Sequence, residues 1–188
     1  NSNESFKKIL TSDVLLINGK KYRNWPAIKE DIELRIHDLH HEDDNCLIHG
    51  DLCFSNVFCD FKSKNFKLID PRGKWGSTMF GDMKYDVAKL RHSLVGGFDT
   101  IVNGFCTASL NESNHISMKI FEPKNHQQIC RYLDELIQNR WNLNEIKLIE
   151  GLLFISMLPL HRDHFERQLA FYSIGIQRLN EVLDETDR

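Results

Sequence analysis

The chain has 188 residues, enough for one domain with a sizeable core. An apolar share of 41% and a charged share of 27% are those of an ordinary globular domain, so a disordered or membrane-embedded chain is excluded as a class. A formal charge of −3 gives no reason to expect nucleic acid or an anionic membrane as partner. Five cysteines with no CxxC pair read as reduced thiols in a cytoplasmic protein, not as a disulfide framework. The longest apolar run, 151–160, is too short to span a bilayer. The first residues carry no apolar signal-peptide core and no initiator Met, which reads as a fragment or a trimmed chain.

The spacing predicts a short helix over 4–11, then a small hairpin turning at Asn18 and Gly19. A helix follows from Pro26, with Ile28, Ile32, Ile36 and Leu39 at helical spacing. His40 and His41 read as its solvated end. After a central stretch of short apolar runs, 82–96 reads as a helix with Asp82 at its N-cap and Gly96 at its stop. Met83, Val87, Leu90 and Leu94 are its expected buried stripe. A further helix is expected through 100–106, and the C-terminal third reads as helical over 125–139, 143–157 and 163–184. The expected fold class is α+β, mainly helical, in one domain. It comprises leading helices over 1–45, a central β-hairpin segment over 46–73 and a helical region over 74–188.

The central stretch, "CLIHGDLCFSNVFCDFKSKNFKLIDPRG", carries the chemistry. Residues 56–60 and 66–70 read as short strands joined by five polar-rich residues. A hairpin symmetric about Ser63 sets Phe58 opposite Leu68 and Asn56 opposite Asp70. Opposed residues share a sheet face with Cβ atoms about 5 Å apart. An amide oxygen and a carboxylate would then converge at the open end, as a hard cation such as Mg²⁺ requires. A slip of one residue would send the two side chains to opposite faces. Asp51, after Gly50 and before the first strand, stands where a base receiving a substrate hydroxyl proton belongs in phosphoryl transfer.

His49-Gly50-Asp51, four residues, then Asn56 resembles the catalytic loop of the aminoglycoside phosphotransferase and choline kinase-like family, a relative of the protein kinases. Ile69-Asp70-Pro71-Arg72-Gly73 resembles its metal-binding segment, and Asp51 precedes Asp70 by 19 residues. "GDMKYDVAKLRHSL" resembles the helix that follows in that family. The resemblance is sharp over 46–95 and loose over the helical remainder. "IDPRG" with "YDVAKL" is most similar to bacterial members near surface-polysaccharide genes.

The resemblance implies a protein-kinase-like C-terminal lobe acting as a kinase on a hydroxyl of a small molecule, a sugar or an amino alcohol. ATP would be the phosphoryl donor and Mg²⁺ the cofactor. Asp51 would be the catalytic base or hydroxyl-orienting group, and Asn56 and Asp70 the metal ligands. His49 and Asp86 would support the catalytic loop; Arg72 is a candidate contact for a phosphate or an anionic substrate that the family pattern does not itself assign. Neither a glycine-rich loop nor a strand Lys with its helix Glu precedes residue 46, so the chain reads as this lobe alone. A missing N-terminal lobe or a partner domain would complete it.

Blander readings stand beside these. A kinase-derived binding module without catalysis is the alternative from another class. Asp86 also reads as a solvated helix acid, and Arg72 and Lys74 as solvated loop cations. "VAK" at 87–89 mimics a strand-lysine motif but falls inside a helix, in the wrong order. His161-Arg162-Asp163 with Gln168 spells a second loop-like motif but has no following hairpin; Asp163 reads as a helix start. Cys46, His49, Cys53 and Cys59 do not have zinc-site spacing and read as small apolar residues. The acceptor's binding residues are not legible: Glu112, Asp134 and Glu135 are too scattered to assign.

Overall fold

The computed structural model describes residues 2–39, 45–74, 78–111, 113 and 115–186. The fold is α+β, 54% helical and 20% strand. Its elements run α1 (Ser2–Thr11), β1 (Val14–Ile17), β2 (Lys20–Arg23), α2 (Trp25–His37), β3 (Asn45–Leu47), β4 (Val57–Asp60), β5 (Asn65–Leu68) and β6 (Phe80–Asp82). Then come α3 (Met83–Leu94), α4 (Phe98–Val102), β7 (Cys106–Leu110), β8 (His115–Ile120), α5 (His126–Gln138), α6 (Leu143–Ser156) and α7 (Phe165–Thr186). Single 3₁₀ turns occupy Phe54–Asn56 and Leu158–His161. His40, His41 and Glu112 lie outside the described residues.

The core forms around α7. Leu169, Phe171, Tyr172, Ile176, Leu179 and Leu183 recur at helical spacing and are buried. They meet Ile9 of α1, Leu15 and Ile17 of β1, Ile28 and Ile32 of α2, and Leu148 and Phe154 of α6. The axes of α6 and α7 cross at Gly151 and Gly175. A Cβ on Gly175 would stand 2.8 Å from Ile155 Cδ1 and 3.2 Å from the Gly151 carbonyl oxygen, so only glycine admits this approach. At the other side of α7, Tyr172 donates its hydroxyl to Asn24 Oδ1 at 2.6 Å. The Asn24 amide in turn closes on the carbonyls of Ile9 and Ser12, tying α1 to α2.

The Asn18-Gly19 turn forms as expected, with φ of 48° and 81°, and pairs Ile17 with Lys20. The expectation of one central hairpin in an otherwise helical chain is corrected. β1 and β2 belong to a four-stranded mixed sheet of order β2-β1-β8-β7, and β3 pairs with β6. The helical region expected over 74–188 is therefore interrupted by β6, β7 and β8. β8 runs parallel to β1, and the Asn18 side chain brackets Met118 by accepting from its N–H and donating to its carbonyl. The helix expected over 100–106 is displaced to α4.

α3 starts where expected: the Asp82 carboxylate accepts from Lys84 N–H at 2.8 Å. Its buried face is not the apolar one. Met83, Val87, Leu90 and Leu94 are only half-buried, whereas Lys84, Asp86, Lys89, Arg91, His92 and Ser93 are buried. α3 is buried on polar faces because it joins the helical core to the central loop. Towards the core, Arg91 forms a two-pronged ion pair with Asp134 of α5 and another with Glu150 of α6, while Lys84 meets Glu145 at 3.1 Å. Arg178 of α7 approaches the second Glu150 oxygen at 3.4 Å. Such pairs are bound by mutual need, since removing one partner strands a buried charge.

Candidate active site

The opposite face of α3 holds the loop of residues 49–56. Asp86 accepts hydrogen bonds from two successive backbone N–H groups, His49 at 2.6 Å and Gly50 at 2.8 Å. One turn on, the Lys89 ammonium lies 2.8 Å from Asp51 Oδ1. One turn further, Ser93 Oγ accepts from Phe54 N–H at 2.9 Å. Residues 86, 89 and 93 share one helical face by their spacing. A buried polar stripe thus fixes the loop at its start, its middle and its end.

Within the loop, His49 Nδ1 accepts from Asp51 N–H, which requires the ring hydrogen on Nε2. Nε2 then donates to the Ile69 carbonyl at 2.9 Å. His49 therefore joins the loop to the chain just before Asp70. The join is tightened by Arg72, whose backbone N–H donates to the His49 carbonyl at 2.8 Å. Gly50 has φ +76°, and a Cβ there would press on Arg72 Cβ at 2.9 Å, so conformation and space both require glycine.

The expected hairpin register is corrected. Val57 pairs with Leu68, Phe58 with Lys67, Cys59 with Phe66 and Asp60 with Asn65, one residue away from the symmetric pairing. The turn explains the shift. Asp60 accepts from Lys62 N–H and from Ser63 Oγ, and Lys64 turns with φ +56°, closing the hairpin in four residues. These hydrogen bonds, that of Ser63 foremost, hold the Asp60 carboxyl below its ordinary pKa. Asn56 accordingly lies in the 3₁₀ turn before β4, opposite Ile69, whose N–H donates to its carbonyl at 3.1 Å. Asp70 follows β5 with φ +52°, a left-handed backbone that few non-glycine residues adopt. The two are not directly opposed, yet both line one cleft.

That cleft has a volume of about 770 Å³. Asp51, Asn56, Asp70 and Arg72 line one side, with Tyr85 and Lys89 of α3 at its floor. His49 and Asp86 stand behind as supports. The Asn56 amide donates to the Asp51 carbonyl at 2.9 Å and reaches its Oδ2 at 3.4 Å. With its hydrogens so directed, its amide oxygen is the group left for a cation. Asp70 is exposed, and Asp51 is 45% exposed against 6% for its partner Lys89. An amide oxygen and one open carboxylate suit Mg²⁺, which keeps several waters and takes few protein ligands. Among the described residues no three His, Cys, Asp or Glu side chains gather as an ion site, which leaves the zinc reading without a ligand cluster.

Arg72 extends over the floor and donates to the Tyr85 hydroxyl at 3.2 Å. Burial lifts the Tyr85 phenol above its ordinary pKa, with the Arg72 guanidinium acting the other way. Beneath the floor, His92 is sandwiched between Phe98 and Phe154 at 4.6 and 4.1 Å, and neither ring nitrogen has a hydrogen-bond partner. Burial, aided by Lys89, pushes its pKa well below the ordinary value, so it packs as a neutral ring.

Lys89 lines the cleft and pairs with Asp51, although the sequence pattern showed it only as part of a helix. The signal was present as Asp86, Lys89 and Ser93 at helical spacing, a polar stripe on a helix whose apolar residues seemed to define its inner face. The second motif, at His161, stays outside the cleft. Its Gln168 donates to the Leu158 carbonyl, and α7 starts at Phe165, two residues after Asp163. Asp134, set aside as an acceptor-binding acid, is committed to Arg91. Comparison with protein-family models, curated proteins and solved structures returned no match to this chain. Among the described residues no helix is long and apolar enough to cross a membrane.

Proposed function

We propose that the chain is the C-terminal-lobe module of an ATP- and Mg²⁺-dependent phosphotransferase of the aminoglycoside phosphotransferase and choline kinase-like kind, acting on a hydroxyl of a small molecule. The observation that carries this reading is the convergence of Asp51, Asn56 and Asp70 on one cleft while α3 clamps the intervening loop. Phosphoryl transfer asks little covalent chemistry of a protein and much positioning, and a loop fixed at several points supplies positioning.

Asp51 meets the acceptor hydroxyl with the carboxylate lone pairs that Lys89 at Oδ1 and the Asn56 amide at Oδ2 leave open. As the acceptor oxygen bonds to the γ-phosphorus and the bond to the ADP oxygen breaks, the hydroxyl proton passes to the Asp51 carboxylate. Asn56 and Asp70 would hold Mg²⁺, which would supply charge neutralisation on the phosphate oxygens. Lys89 keeps Asp51 in place and adds positive charge near the reacting group. Arg72 lines the same cleft, bonded to the Tyr85 hydroxyl.

A second reading has its own support. Phe58, Phe61, Phe66 and Leu68 of the hairpin are exposed, Phe61 by 89%. Phe66 and Leu68 share one face of the hairpin and Phe58 lies on the other, so each face offers apolar side chains to a partner. A kinase-derived interaction module would keep the scaffold without transfer.

A calorimetric titration of a non-hydrolysable ATP analogue, with and without Mg²⁺, separates the two. The enzyme reading predicts Mg²⁺-dependent binding that Asp70→Ala weakens by at least about tenfold, the loss of one charge-assisted contact. Binding that ignores both Mg²⁺ and the substitution refutes Asp70 as a ligand, and no binding at all favours the interaction module.

A further inference from the structure

Among the described residues no third strand joins β4 and β5, and every residue of β5 is exposed. At a strand rise of about 3.3 Å per residue, the hairpin reaches about 13 Å beyond Asn56 and Asp70 at its base. Its turn carries Phe61, 89% exposed, and Phe58, Phe66 and Leu68 behind it are each more than half exposed. The register puts Phe66 and Leu68 on one face, and Phe58 beside Lys67 on the other. Lys62, Lys64 and Lys67 are exposed among these aromatic rings. Three lysines thus stand against one acid, Asp60, in a chain whose overall charge is −3. That acid is engaged in closing the turn, by Lys62 N–H and Ser63 Oγ.

The two-sided placement selects among partners. A folded protein laid on one face would leave the aromatic side chains of the other in water. Single-stranded nucleic acid stacks on aromatic rings along one basic groove, whereas these rings are split between two faces. A bilayer interface surrounds an inserted ribbon and covers both faces at once. Interfacial segments enter about 5–10 Å into the headgroup and acyl boundary, a depth within the hairpin's reach. Lysine stems lie along apolar surface while their ammonium groups stay at the lipid phosphates, where anionic lipid attracts them. We propose that the β4–β5 hairpin is a membrane-surface anchor that docks the chain on anionic lipid bilayers. The docking is peripheral, needs no membrane-crossing helix and does not depend on the phosphotransferase reading.

The test is cosedimentation of the whole chain with vesicles of phosphatidylcholine, alone or with about three-tenths phosphatidylglycerol. The mixed vesicles are expected to bind at least about tenfold more tightly than phosphatidylcholine alone, and the difference to shrink with added salt. Phe61→Ser is expected to weaken binding about threefold to tenfold. The double variant Lys62→Gln, Lys64→Gln is expected to weaken it about tenfold to thirtyfold, at about fivefold for each lysine near an anionic surface. All three positions are exposed, so folding does not depend on them. Leu34→Ser on α2, at an apolar position 70% exposed away from the hairpin, is expected to bind like the wild type. Failure to bind the mixed vesicles, or binding that both hairpin variants leave unchanged, overturns the proposal. So does a Leu34→Ser loss equal to that of Phe61→Ser. Tighter binding to an oligothymidylate than to the mixed vesicles overturns it in favour of nucleic acid.

Discussion

Asp51→Asn is expected to lower turnover by about 10²–10⁴-fold, the range for loss of a positioned proton acceptor. An amide cannot take the hydroxyl proton, although it fills the same space. The substitution also removes the ion partner of Lys89, which is 6% exposed. Asp51 itself is half open to solvent and the asparagine oxygen can still accept from the ammonium, so the stability cost is about 1–3 kcal/mol, below that of stranding a fully buried charge. The apparent KM for Mg·ATP should change little, because Asp51 is placed beside the proposed metal ligands Asn56 and Asp70 and is not proposed as one of them. ADP release from Mg·ATP, with water or an added alcohol as acceptor, measures the first effect, and thermal unfolding measures the second. Near-wild-type turnover in a folded variant would remove Asp51 from the chemistry.

Asp86→Ala is expected to act through structure. The carboxylate is buried and serves the N–H groups of His49 and Gly50 together. Alanine leaves both donors without a partner at the start of the loop. Hydrogen bonds to a charged group contribute about 1.5–3 kcal/mol each, and partial rehydration of the loop reduces the total, so a loss of about 3 kcal/mol is expected. For a chain of this size that corresponds to a fall in Tm of about 6–12 °C. Asp86→Asn should lose less, because its amide oxygen can still accept one of the two bonds. Equal Tm for the alanine variant and the wild type would show that the loop does not depend on this clamp.

The sequence made some of this architecture legible because local chemistry decides it. Asn18-Gly19 has few conformational choices between two apolar strands, and Asp82 caps α3 through its own backbone neighbourhood. The periodicity of α7 is strong because that helix is wrapped by the core. The hairpin register was not legible. It depends on the Asp60 side chain closing the turn in four residues, and five polar-rich residues can close in more than one way. β7 and β8 were missed because Ser, Thr and Lys on their outward faces dilute the alternation around Ala108 and Ile116. The clamp by α3 was hidden for a related reason. Helical periodicity is normally read from apolar residues, whereas α3 buries acids, cations and a serine that make sense only against the loop they hold.

The placement of the candidate site residues was legible only in part. Asp51, Asn56, Asp70 and Arg72 line the same cleft although Asn56 and Asp70 are not cross-strand partners. What unites them is the left-handed backbone at Asp70 and the 3₁₀ turn at Asn56, neither of which spacing alone reveals.

Replacing Mg²⁺ by Mn²⁺ in the presence of a non-hydrolysable ATP analogue tests the proposed ion site most directly, because the paramagnetic ion broadens nearby NMR signals. The account predicts the strongest broadening at the Asn56 side-chain amide and the Asp70 backbone amide, falling away along β4 and β5 towards Lys62, and abolished by Asp70→Ala. Broadening centred elsewhere, or unchanged by that substitution, would contradict it.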